Sequence, residues 1–232
     1  MKNTTMTTIA GLLLAGVAAV GNAQAAQSLD IKFVREDADV LAMSTSDTQD
    51  YSTGRLHYVD REGRSFIAYC VELQQEFAPN FLGFQTYTPG SFSGSQAAAL
   101  QGLFSTSYAG LNNAFQQAAF QTAVWEITHE STGTPLSVAA HQGSFFFTGL
   151  SAPLSQGGSL AQDDAAFVSQ VHSYLNAAVN YQGADLYTIS RLSNANFQDL
   201  VVATAVPEPT SLAMLLGGLA ALGFVARRRN AA

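Results

Sequence analysis

The chain has 232 residues, with 10 Lys+Arg against 17 Asp+Glu and a formal net charge of -7. Apolar residues make up 47% and charged residues 12%, against roughly 25% charged in an ordinary soluble protein, so wholesale disorder is excluded and a packed core is feasible. Nucleic acid is excluded as a partner too, because a polyanion must be met by clustered Lys and Arg, and neither occurs from Ser65 through Ser190.

The first 25 residues combine a weakly cationic start at Lys2, an apolar run from Ile9 to Val20 and small residues at Ala23 and Ala25. This pattern is a secretory signal peptide, with removal expected after Ala25. The run covers roughly 18 Å as a helix, too short for a bilayer core of roughly 30 Å. Residues 26–205 are the expected exported module. Every Asp and Glu except Glu208 falls within it, which favours solubility and basic or amine-bearing partners.

Along that module, strands are expected over Leu29 to Met43, Arg55 to Tyr58 and Arg64 to Leu73. In the last, Phe66, Ala68 and Cys70 alternate with Ile67, Tyr69 and Val71, so both faces are apolar and the strand is central. The period then changes. Ser93 with Gln96 forms a capping box ahead of Ala97, Leu100, Leu103 and Phe104, and Asn113 with Gln116 caps a second helix running to about His129 or Glu130. Ala114, Ala118, Gln121 and Trp125 fall on one stripe of that helix. A third helix is expected from Leu160 to Asn180, burying Phe167, Val168, Val171, Leu175 and Ala178. Ala184 to Arg191 and Leu200 to Ala205 close the module as strands. Strands, then helices, then strands describe an α+β fold in one module.

At the C-terminus, Val206-Pro207-Glu208-Pro209-Thr210 leads into apolar Leu212 to Ala226 and then Arg227, Arg228 and Arg229. The arginines resist translocation and stay cytoplasmic. The helix covers only about 22 Å, which suits a transient inner-membrane anchor better than a permanent one. Residues 206–232 resemble the PEP-CTERM sorting signal of exported Gram-negative proteins, with Pro207, Glu208 and Pro209 as the motif. The resemblance implies an exosortase-type enzyme as processing partner and a final location at the cell surface or outside the cell.

Cys70 is the single cysteine, so no disulfide forms within the chain. An unpaired thiol in an exported protein is an inert core residue, a catalytic nucleophile, or one half of a bond to something other than cysteine. The second requires a base, and His57, His129, His141 and His172 lie in no recognisable catalytic signature. No His or Cys pair has zinc spacing and no nucleophile elbow occurs, so neither metal nor cofactor is expected.

For the third, Tyr69-Cys70-Val71-Glu72 and Phe120-Gln121-Thr122-Ala123-Val124-Trp125 resemble the two halves of the Cys-Gln thioester domains of bacterial surface proteins. That resemblance implies antiparallel strands with a helical insert, and a strand cysteine that attacks the side-chain amide of a helical glutamine. It makes Cys70 and Gln121, 51 positions apart, the reactive pair. Such a bond survives only where water is excluded, and Tyr69, Phe120 and Trp125 are the candidate shields. His129, two turns beyond Gln121, is a candidate proton shuttle, and Glu72 and Glu126 are expected to face solvent. The function so implied is one-shot covalent attachment to an amine-bearing surface or matrix target, without turnover. The alternatives are a noncovalent biofilm or matrix protein with a spectator thiol, and a cysteine hydrolase.

Overall fold

The computed structural model describes residues 28–207, 214–219 and 222. The expected signal peptide, Glu208, Pro209 and the three arginines lie outside the described residues. Among those described, no helix is long and apolar enough to cross a membrane.

Six strands close into an antiparallel barrel: β1 (Leu29–Glu36), β4 (Leu56–Asp60), β5 (Ser65–Cys70), β6 (Gln85–Gly90), β8 (Tyr187–Ser193) and β9 (Leu200–Ala205), in the order β1-β4-β5-β9-β8-β6. Closure leaves the barrel itself without a free edge strand. A second, three-stranded sheet joins β3 (Tyr51–Thr53), β2 (Leu41–Thr45) and β7 (Phe147–Leu150) in that order. Helices α1 (Gly94–Ser107), α2 (Ala114–His129) and α3 (Leu160–Val179) lie between β6 and β8 in the chain. The fold is α+β.

Strand β5 is buried on both faces. Tyr69 packs with Phe104 of α1 and Phe120 of α2, ring centroids 6.2 and 4.9 Å away. Ala68 and Cys70 point the other way, by the two-residue period of a strand. The single strand expected over Leu29 to Met43 is instead β1 and β2. The break falls where Asp37 turns to bind Arg55 Nε at 2.8 Å and His57 Nε2 at 2.7 Å. The short β3, and β6 with Pro89 and Gly90, carry no period long enough to be seen in sequence.

Within β1 the register against β4 slips. Phe33 pairs with Tyr58 and Arg35 with His57, leaving Val34 as the extra residue of a β-bulge, and Glu36 then pairs with Leu56. Paired residues share a face, so Glu36 points to the same side as Phe33. In an unbroken strand a residue three positions on would point away.

Asn113 caps α2, its Oδ1 accepting from the Gln116 N–H at 2.9 Å. Ser93 makes no such bond, and the Gln96 side chain reaches away from it, its Nε2 donating to the Thr128 carbonyl in the last turn of α2. That contact satisfies a carbonyl which the helix end leaves open. Every residue from Gln117 to Ile127 is buried, so α2 is enclosed between the barrel and the other helices rather than lying on a surface. Helix α1 meets α3 through Gly102, where a β-carbon would fall 2.1 Å from the Ala178 carbonyl oxygen. Only glycine permits that approach.

Candidate functional site

Cys70 is the last residue of β5, and Gln121 sits in the middle of α2. Both are buried, at 4% and 1% exposure. The Cys70 N–H donates to Gln121 Oε1 at 2.8 Å, and Gln121 Nε2 donates to the Cys70 carbonyl at 2.8 Å. The carboxamide thus makes the two bonds that a neighbouring strand would make. The reason lies in strand register. Val71 N–H donates across to Asp199, preceding β9, so by alternation the polar groups of Cys70 face the β4 side. Strand β4 begins only at Leu56, opposite Ala68, and the place beside Cys70 is filled by the Gln121 side chain.

The pair lies on a cavity of about 10 Å³, at the lower limit for holding one water molecule. Its other walls are β3 with Gly54, Glu36, Leu56 and Trp125. Strand β3 pairs only with β2, so it forms a narrow strap over the site. A cleft of about 470 Å³ between the start of α1 and the ends of α2 and α3 includes neither Cys70 nor Gln121.

Burial pushes the Cys70 thiol well above the ordinary thiol range, and the nearby Glu36 carboxylate pushes it further. The Tyr51 hydroxyl and the Gln198 amide work in the opposite direction. Burial also raises Glu36 and Tyr51. Gln198 is fully buried; its Nε2 donates to Tyr51 Oη at 3.3 Å and to the Glu72 carbonyl, while its Oε1 has no partner.

Of the expected shields, Trp125 lines the cavity and stands edge-on to Tyr51, centroids 5.7 Å apart. Tyr69 and Phe120 do not line it. Adjacent residues of a strand point to opposite faces, and Tyr69 with Phe120 fills the seam between barrel and helices instead. His129 is not brought to the pair. Its Nδ1 is 3.0 Å from the Trp125 carbonyl, and its ring lies against Phe145. Glu126 does not face solvent: it is fully buried, with Oε1 accepting from the Ser137 N–H at 2.6 Å and Oε2 unpartnered. Burial pushes its carboxyl up to about 8. Glu72 is also held inward, accepting from the Asp199 N–H at 3.1 Å.

Glu36, Tyr51 and Gln198 escaped sequence reasoning because they are distant from both motifs. The one visible signal was the broken alternation of apolar Ile31 and Phe33 at Val34-Arg35.

Residues 205–229 match the PEP-CTERM protein-sorting motif, so the chain carries that motif near its end. Neighbours among solved structures include thioester domains of bacterial surface proteins. One is the N-terminal thioester domain of fibronectin-binding protein SfbI from Streptococcus pyogenes, at 12% identity and TM-score 0.47, covering 77% of this chain and 94% of that one. Another is the N-terminal domain of the Streptococcus pyogenes pilus tip adhesin Cpa, at 16% identity and TM-score 0.46, covering 79% and 96%. A third is the N-terminal thioester domain of a surface protein from Clostridium perfringens, at 13% identity and TM-score 0.41, covering 78% and 100%. No curated protein matches the chain.

Proposed function

We propose that this is an exported, adhesin-like surface protein carrying an internal Cys70–Gln121 thioester for one-shot covalent attachment to an amine-bearing target. The observation that carries the reading is the grip of both Cys70 backbone groups on the Gln121 carboxamide, each at 2.8 Å, on the wall of a nearly dry cavity. Attack of the Cys70 sulfur on the carboxamide carbon forms the C–S bond and moves the carbonyl electron pair onto Oε1. The Cys70 N–H already donates to that oxygen, as an oxyanion donor must. Collapse breaks the C–N bond, and the amide nitrogen leaves as ammonia with the thiol proton. The fixed contact of strand with helix supplies the alignment that makes a poor electrophile react.

A target amine then attacks the same carbon. The new C–N bond forms, the C–S bond breaks, and Cys70 departs with the proton that the amine gives up, leaving an amide cross-link. The protein is consumed in the reaction, so it is a reagent rather than an enzyme. In this reading residues 1–25 direct export and are removed, 26–205 are the reactive module, and 206–232 hold it briefly in the inner membrane for an exosortase-type enzyme. Trp125 and the β3 strap keep water from the bond, since hydrolysis competes with capture.

The test is the intact mass of the purified protein. A formed thioester makes it lighter by one ammonia and leaves no thiol to titrate after denaturation; methylamine restores the thiol and adds its own mass. Full mass with one free thiol rejects the proposal and leaves the spectator reading.

A further inference from the structure

We propose that Glu36 is the acid–base group of this site and that it selects protonated primary amines as targets; the inference rests on the thioester reading above. A thiol buried out of reach of bulk solvent does not lose its proton to water, so a base must reach it within the fold. Among the described residues lining the cavity there is no Lys, Arg or His. The titratable groups facing one another there are Glu36, Tyr51 and Cys70. Glu36 is therefore the carboxyl on the wall shared with the reacting pair.

Its position is built rather than incidental. Glu36 pairs with Leu56, Leu56 pairs with Ala68, and Cys70 comes one strand period after Ala68, so all four side chains share one face across β1, β4 and β5. Only the extra residue Val34 turns Glu36 onto that face, and bulges of this kind serve to re-aim side chains beside active sites. Unlike Cys70 and Gln121, Glu36 is only partly buried, which gives its proton a route to solvent.

In bond formation the Glu36 carboxylate takes the thiol proton as the C–S bond forms and returns it to the amide nitrogen as the C–N bond breaks. In capture it draws the target ammonium to the cavity and takes one proton from it, which passes on to solvent. The free amine attacks, loses its second proton through Glu36 and forms the amide; that proton ends on the Cys70 sulfur. A neutral hydroxyl offers the carboxylate no charge to attract.

The experiment compares the full chain with Glu36→Gln and Glu36→Asp, each checked for folding by thermal melting. Thioester content is read by intact mass, and thiol release is timed with methylamine and separately with glycerol from pH 6 to 9. For Glu36→Gln we expect either no thioester in a folded protein or a capture rate lower by about 100-fold, tracking only the titration of the amine. Glu36→Asp restores part of the rate, and glycerol releases no thiol from any form. Glu36→Gln with full thioester and an unchanged pH–rate profile overturns the inference while leaving the thioester standing. Glycerol reacting as fast as methylamine overturns the choice of amines. A wild-type protein with full mass and a free thiol removes both readings together.

Discussion

Replacing Cys70 by Ala separates a bonded cysteine from a spectator by stability alone. A thioester between Cys70 and Gln121 closes a loop spanning 51 positions. By the loop-entropy relation used for disulfides, a closure of that length removes about 14 cal/mol/K from the unfolded chain, or about 4 kcal/mol at 25 °C. For a module of this size, 1 kcal/mol moves the melting temperature by about 2–4 °C, so Cys70→Ala should lower Tm by about 8–16 °C. A spectator thiol loses only one buried heavy atom, comparable to Ile→Val, for about 1 kcal/mol and a shift of about 2–4 °C. The assay is differential scanning calorimetry of wild type, Cys70→Ala and methylamine-treated wild type. The treated protein should fall with the variant, since opening the loop removes the same constraint. A Cys70→Ala melt within about 4 °C of wild type, with methylamine changing nothing, refutes the covalent reasoning.

The packing yields three more expected outcomes. Gln121→Leu strips the partners from the buried Cys70 N–H and carbonyl, each costing about 1–3 kcal/mol, so urea unfolding should show a loss of about 2–6 kcal/mol even in a Cys70→Ala background. Gly102→Ala drives a β-carbon onto the Ala178 carbonyl and should cost about 1–3 kcal/mol in the same assay; an unchanged midpoint would mean that α1 and α3 do not meet there. Glu126 has its carboxyl raised from 4.5 to about 8, so the folded state holds a proton that the unfolded chain has released. That contribution is fully present below about 4.5 and is lost as pH rises through about 8, so Tm should decline across this window. Glu126→Gln, which mimics the protonated acid, should flatten the decline, and an identical pH dependence in the variant contradicts it.

The C-terminal sorting motif and the proposed reactive pair were legible in the sequence. The tail is a linear signal, in which motif, apolar run and arginines need only stand in order. Cys70 and Gln121 were legible because each sits in an element with a strong local period: an alternating apolar strand, and a helix whose Asn113 cap is written beside it. The sequence alone also settled that no disulfide could form within the chain, since its one cysteine has no partner there.

The tertiary structure decided what surrounds the pair. Strand polarity leaves the Cys70 N–H and carbonyl facing a gap that β4 does not reach, and this determines how the Gln121 amide is held. Period two sent Tyr69 to the helix side, so nearness in sequence to Cys70 did not bring it onto the cavity wall. A single inserted residue, Val34, reversed the face of Glu36, a change invisible in composition because a bulge exists only relative to its partner strand. Tyr51 and Gln198 meet beside the thiol although they are 147 positions apart. Local periodicity fixes which residues share an element. Which elements meet, and in what register, depends on long-range pairing that no window of the sequence contains.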